Sequence, residues 1–250
     1  MPVKIGEVEA LFRYPVKSMG GESLEVADLG WHGIDGDRRL AFRRLDDRGG
    51  FPWLSAFRLP ELILFAPLRQ GPVVDGDLPT HVRTPAGEEL AVFGQELAAE
   101  VGRRHGSPVE MMYLSRGIFD EASISVIATA TVGEIGRLAA QRPDVRRFRP
   151  NILVASVRSV PFEEDEWVGG VLSFGETSEA AVIGITNRDE RCSMVNFDPG
   201  SARPNAEMLK AIVRVRDNKA GVYGTVTRRG RLAVGQPIFF EPAAGHRGRP

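Results

Sequence analysis

Glycine and proline interrupt this chain so often that no long regular element can run through it. Of 250 residues, 28 are glycine and 17 are proline. That is nearly one residue in five, against about 12% in an average chain. Both are poor guests inside helices and central strands. Many short elements joined by turns are therefore expected, which favours a β-rich architecture. The longest unbroken apolar run spans 62–68, far short of the roughly 18 residues that a membrane-crossing helix needs. No basic-then-apolar leader opens the sequence. A single cysteine excludes an internal disulfide. The expectation is a cytoplasmic chain with no membrane partner.

Charge narrows the function further. With 32 basic and 33 acidic residues the formal net charge is −1, which argues against a protein that holds long nucleic acid. The basic residues are lopsided: lysine occurs only at 4, 17, 210 and 219, and the rest are arginine. Codon bias explains most of that. Arginine nevertheless offers a planar fork for phosphate, so local arginine clusters are candidate anion sites.

The alternation of Val8, Ala10 and Phe12 predicts one face of a strand that ends before Pro15. Similar patterns predict strands over 24–29, 40–45, 62–65, 80–83, 89–93 and 109–114, and again over 152–155, 171–174, 181–185, 222–227, 232–234 and 238–240. A helix is predicted over 95–104, with Leu97, Ala98 and Val101 on one face. Thr131 and Glu134 have capping-box spacing, with Val132, Ile135, Leu138 and Ala139 following at helical intervals. Asn205 would cap a third, short helix carrying Met208, Leu209 and Ile212. The stretch 115–120 carries the weakest pattern. The reading is a β-rich α+β protein of two β-barrel-like domains with a few short helices, divided into 1–115 and 116–250.

Four segments could carry chemistry. Cys192 lies in the polar stretch Asn187-Arg-Asp-Glu-Arg-Cys192. A free cysteine is most often a small buried hydrophobe, but positive neighbours such as Arg188 and Arg191 would favour thiolate, a soft metal ligand. Arg146-Arg-Phe-Arg-Pro-Asn151 reads either as a solvated basic turn or as an anion clamp. Tyr14-Pro-Val-Lys-Ser18 places a point charge and a hydroxyl at a strand end, with Gly36-Asp-Arg-Arg39 some twenty residues on. Pro161-Phe-Glu-Glu-Asp-Glu-Trp167 strings four carboxylates together. Such a run repels itself, so a solvated face is favoured over a cation site. Phosphate-loop, zinc-protease and nucleophile-elbow patterns are missing.

In this order the four segments resemble a MOSC-domain protein, the family named for the C-terminal domain of molybdenum cofactor sulfurase. Tyr14-Pro-Val-Lys-Ser18 and Gly36-Asp-Arg38 match the motifs of the β-barrel domain that often precedes MOSC. Phe148-Arg-Pro-Asn151, the acidic segment ending at Trp167, Arg191-Cys192, Gly221-Val-Tyr223 and Gly230-Arg-Leu-Ala-Val-Gly235 match the MOSC core. The family includes the amidoxime-reducing component and its bacterial relatives. The resemblance implies a molybdenum–pyranopterin cofactor lying between the domains. It makes Cys192 the metal ligand and catalytic residue. Lys17, Ser18, Arg38, Arg149, Asn151, Arg191 and Tyr223 become cofactor-binding, with Ser123 and Thr129 as loose candidates.

The implied activity is a molybdenum-dependent oxidoreductase that reduces N-hydroxylated compounds. Reductase relatives often show Cys-x-Arg-Cys, and here Asp189 takes the first of those positions. No cysteines remain for an iron–sulfur domain, so electrons would come from a separate flavoprotein or ferredoxin. The alternative is a carrier that presents cofactor, or a persulfide on Cys192, to an accepting enzyme. No nucleic-acid partner is expected.

Overall fold

The computed structural model describes residues 2–70 and 78–243. The chain opens with β1 (Val3–Arg13), β2 (Glu22–Leu24), β3 (Val26–Gly30), β4 (Gly33–Ile34) and β5 (Leu40–Arg44). Then come β6 (Ala66–Leu68), β7 (His81–Arg83), β8 (Glu89–Ala91), α1 (Gln95–His105) and β9 (Val109–Tyr113). The second half holds β10 (Ile124–Ala128), α2 (Thr129–Leu138), β11 (Ile152–Ser156), β12 (Val171–Phe174) and β13 (Ala181–Glu190). It ends with α3 (Glu207–Arg216), β14 (Lys219–Arg228), β15 (Gly230–Ala233) and β16 (Pro237–Glu241).

Seven strands close a barrel in the order β11-β10-β14-β13-β12-β16-β1, with β1 pairing back to β11 and β2 lying on β1. Only the β10–β11 pair is parallel. Its interior is filled by Val8, Leu11, Val126, Val154, Leu172, Phe174 and Ile183, all buried. Each such side chain contributes about 1.5–3 kcal/mol. A second core, running from Val16 to Met111, packs α1 against β5–β9 and the β6-β7-β8 sheet. The class is β-rich α+β, as the sequence implies. Strands of the first 30 residues pair with the C-terminal half, β1 with β11 and β16 and β3 with β15, while β4 lies on β3. Residue 115, where the sequence reading divides the chain, lies between β9 and β10.

Four local expectations are corrected. Val8, Ala10 and Phe12 do not share a face: a bulge between Val8 and Ala10 shifts the β1–β11 register. Val8 and Leu11 therefore point into the barrel, while Ala10 and Phe12 join an outer layer with α2 and α3. The segment 62–65 is not a strand, because Pro60 opens a 3₁₀ turn over Pro60–Leu64. That turn sends Leu62 to the N-terminal core and its neighbour Ile63 to a small cluster with Ala56 and Ala202.

Thr131 does not cap α2, which starts two residues earlier. Its hydroxyl donates instead to Glu164 at 2.8 Å and accepts the Phe162 amide at 2.7 Å. The acidic run is correspondingly not a solvated face. Glu163 and Glu164 are buried. Burial pushes the Glu164 carboxyl up to about 7, against the pull of hydrogen bonds from Thr131 and the Ala128 amide. Glu166 pairs with Arg158, and Asp165 with Arg216.

Candidate functional site

Strand ends and turns from both halves meet around a cavity of ≈ 730 Å³. Lys17 and Ser18 enter it from the turn after β1, and Arg38 from the turn after β4. Arg149 precedes β11, Arg191 and Cys192 follow β13, and Tyr223 lies on β14. Residues more than two hundred positions apart in sequence thus share one wall. The Cys192 thiol is free and exposed, so the common buried-hydrophobe role does not apply.

Backbone geometry marks the same residues. Ser18, Arg38 and Arg149 have φ of 67°, 51° and 51°, in the left-handed region that costs a non-glycine residue about 1–2 kcal/mol. Strain of this kind persists where the surroundings over-determine a conformation, and it concentrates at functional sites. Nothing in the local sequence signals it.

The cations of the wall are not equivalent. Lys17 pairs with Asp120 at 3.2 Å, Arg147 with Asp198 at 2.9 Å, Arg191 with Asp189 at 2.8 Å, and Arg38 with Asp37. Arg149 has no carboxylate partner among the described residues. It donates to the Met19 carbonyl at 2.6 Å and stacks 4.2 Å from the centre of the Tyr14 ring. Burial pulls its pKa down to about 10, with Tyr14 opposing. Burial also works against the charged form of Arg38, but Asp37 and Tyr14 outweigh it and hold the guanidinium above its ordinary value. An uncompensated guanidinium in a cavity wall is a receptor for an anion.

Two buried carboxylates brace this wall. Asp37, fully buried, accepts from Arg38, from Asn151 Nδ2 at 3.0 Å and from the Tyr14 amide at 2.7 Å. Asn151 Oδ1 accepts the Ser125 amide at 3.1 Å. Asn151 is itself fully buried and reaches the cavity through Arg38 rather than directly. Asp189 accepts from Ser125 Oγ at 2.9 Å, bonds Tyr223, and forms an ion pair with Arg191 Nη2 at 2.8 Å. Burial raises its carboxyl to about 6, against Arg191 and Ser125. Tyr223 is pushed well above the ordinary phenol value, by burial first and by Asp189 second.

Arg191 also donates to the Ala220 and Phe148 carbonyls, at 2.7 and 2.8 Å. Gly221, at φ 78°, makes room for it: a Cβ there would stand 2.9 Å from Arg191 Nη2 and 2.8 Å from the Val126 carbonyl. Arg188 lies 3.7 Å from Asp165 and lines a different hollow. The positive neighbours expected to act on the thiol are therefore committed to other partners. Arg146 pairs with Asp144, and Arg147 ties down the carbonyls of Val195 and Asn196 in the turn that follows Cys192. Of the expected clamp, Arg149 alone is left for a ligand.

Sequence reasoning missed Ser125, Phe51 and Phe57, which also line the cavity. Both phenylalanines are exposed. Thr129, a loose candidate, bonds Glu9 and the Val154 carbonyl instead. Ser123 packs its backbone against Gly33. No helix of the described residues is long and apolar enough to cross a membrane.

Comparison with known proteins completes the picture. Residues 101–239 match the MOSC domain, and residues 5–123 match the MOSC N-terminal beta barrel domain. No curated protein matches the chain. Among solved structures, the chain is similar to the YUAD protein from Bacillus subtilis, with 14% identity and a TM-score of 0.53 over 98% of this chain and 100% of that one. YiiM from Geobacillus stearothermophilus aligns at 17% identity and a TM-score of 0.38, over 50% of this chain and 56% of that one. The first likeness concerns the fold alone.

Proposed function

Because the chain belongs to the MOSC domain family, we propose that its inter-domain cavity binds a molybdenum–pyranopterin cofactor and that the protein is a reductase of N-hydroxylated compounds. The observation that carries this reading is one cavity holding both an exposed thiol and an unpaired guanidinium, Cys192 and Arg149. The two groups differ in chemistry. A thiolate is a soft ligand suited to a dithiolene-bound transition metal, and a guanidinium fork suits a phosphate tail. Among the described residues no group of three or more His, Cys, Asp or Glu could hold a metal. A metal at Cys192 would have to bring most of its own ligands, as a dithiolene does.

In this reading Cys192 holds the metal, and Arg149 with Ser18 and Lys17 receives the phosphate. Arg38 orients the pterin, and Asn151 and Asp37 fix Arg38. Arg191 and Tyr223 form the wall beside the thiol. When bound, the group supplies a two-electron redox centre. The overall reaction balances as R₂N–OH plus two electrons and two protons giving R₂N–H and water. The electrons come from a separate flavoprotein or ferredoxin. The exposure of Cys192 also suits a carrier that passes cofactor or a persulfide sulfur to an accepting enzyme.

The test is metal content. Wild type and Cys192→Ala are produced in a host that makes the cofactor, and molybdenum and released pterin are quantified per chain. Near-stoichiometric metal in wild type, lost in the variant, is the expected result. No molybdenum and no pterin in either, beside a control enzyme that loads, would refute cofactor binding. Loaded protein that turns over no N-hydroxylated compound with any donor would leave the carrier.

A further inference from the structure

A second, smaller cavity shares Arg147, Arg149 and Met194 with the larger one. Its volume is ≈ 360 Å³, near the lower end of the range for small-molecule sites. It forms where three hydrophobic clusters leave space between them. Phe65 comes from the N-terminal core, Phe12 and Tyr14 from the outer layer with α2 and α3, and Ile63 from the small cluster with Ala56 and Ala202. All four are buried and make an apolar floor. Gly21, Ser23, Arg146 and Gly200, all exposed, form the rim.

Two groups give this apolar hollow a polar anchor. The Tyr14 hydroxyl is buried and has no hydrogen-bond partner among the described residues, which is uncommon for a phenol inside a protein. Arg149 is only partly buried. Its guanidinium lies 4.2 Å from the centre of the Tyr14 ring, so the two donors are neighbours. The other arginines of the lining are committed, Arg146 to Asp144 and Arg147 to Asp198. Gly21 keeps the approach open. A Cβ there would stand 2.4 Å from Tyr14 Cε1, the ring atom next to the hydroxyl-bearing carbon. Glycine therefore leaves that edge of the ring beside the exposed rim.

We propose that this cavity is a second ligand site, for a small aromatic carboxylate whose ring rests on the apolar floor and whose carboxylate accepts from the Tyr14 hydroxyl and Arg149. The floor selects a ring, because Phe12, Tyr14 and Phe65 offer aromatic surface to pack on. The anchor selects an anion, because Arg149 has no carboxylate partner among the described residues. One Arg149 N–H is taken by the Met19 carbonyl. A guanidinium carries five, so donors remain for both cavities. The site goes beyond the cofactor reading and does not rest on it.

The experiment uses the full chain without cofactor. Benzoate is the probe, followed by calorimetry at low ionic strength, with benzamide as its neutral counterpart of similar shape. Wild type should bind one benzoate, about tenfold more tightly than benzamide, because hydrogen bonds between charged groups are the stronger ones. Equal affinities, or no binding of benzoate, overturn the proposal. Tyr14→Phe removes only the unpartnered hydroxyl and so keeps the fold. It should lower benzoate affinity about fivefold, and an unchanged affinity overturns the proposal. Arg149→Gln should abolish the preference for benzoate over benzamide. Two variants that touch neither anchor read the location. Ser23→Trp fills the rim of the small cavity and should lose benzoate, whereas Phe57→Ala, in the larger cavity alone, should leave it unchanged. The reverse pattern places benzoate in the larger cavity and overturns the proposal. A chain that binds benzoate in this way but never acquires molybdenum refutes the cofactor alone. Loading with cofactor while benzoate fails to bind refutes this site alone.

Discussion

Ser18 offers the sharpest check on the idea that the cavity wall is built from strained backbone. It sits at φ 67°, where a side chain costs about 1–2 kcal/mol that glycine does not incur. No side-chain hydrogen bond ties Ser18 to the described residues, so Ser18→Gly removes no internal partner. Glycine gives back about 0.5–1 kcal/mol through its greater freedom in the unfolded chain. The difference leaves Ser18→Gly between neutral and about 1.5 kcal/mol more stable than wild type. Ser18→Ala keeps the strained φ and should gain nothing. Urea unfolding followed by circular dichroism would read this as a rise in midpoint at constant slope for the glycine variant alone. In the same variant, anion affinity at Arg149 should fall several-fold, because the hydroxyl donor is gone. A loss of more than about 1 kcal/mol in Ser18→Gly would refute the strain argument. It would mean that the side chain holds the turn.

Other outcomes follow from features of the barrel. Gly221→Ala combines a left-handed φ with a Cβ crowding Arg191 and the Val126 carbonyl. It should destabilise by more than about 1 kcal/mol and weaken cofactor retention, measured by unfolding and by metal content. Leu172→Ala empties a fully buried interior position and should cost about 2–5 kcal/mol in the same unfolding assay. Glu164 has a folded-state pKa raised from 4.5 to about 7, so the folded protein binds more protons there than the unfolded chain. Its contribution is greatest below about pH 4.5 and is lost as pH rises through about 7. Stability measured from pH 5 to 8 should fall less steeply in Glu164→Gln than in wild type. An identical slope would remove Glu164 as the cause.

The sequence shows most of the architecture where a rule is local. Glycine and proline spacing implies short strands, and strands β11, β12 and β16 lie where apolar runs place them. Asn205 accepts the Glu207 amide from one position before the N-cap of α3, which is Ala206. The misreadings share a cause. The bulge in β1 is imposed by its partner β11, so alternation read on one strand assigns Ala10 and Phe12 to the wrong face. The 3₁₀ turn at Pro60–Leu64 serves two cores at once, which makes adjacent residues apolar and imitates a buried strand. Glu164 looks like a solvated charge until α2, more than thirty positions earlier, supplies its donors. The candidate site follows the same division. Lys17, Arg38, Arg149 and Cys192 stand out as motifs, but the pairing that distinguishes Arg149 from Arg38 and Arg191 is made across the fold.

The threading of β1 bears on how the protein is made. A ribosome delivers this strand first, yet its neighbours β11 and β16 lie at Ile152–Ser156 and Pro237–Glu241. The barrel therefore cannot close until the strand at Pro237–Glu241 has emerged. The core from Val16 to Met111 has all its partners within that span and can assemble while synthesis continues, keeping the β1 segment attached and waiting. Such long sequence separations slow closure. They also mean that a cut between β9 and β10 does not release two self-sufficient halves, because the C-terminal fragment lacks the strand that joins its two edges. The order of translation thus makes the cavity wall the last thing to be completed. Lys17 and Ser18 face Cys192 only after the first strand has found the last.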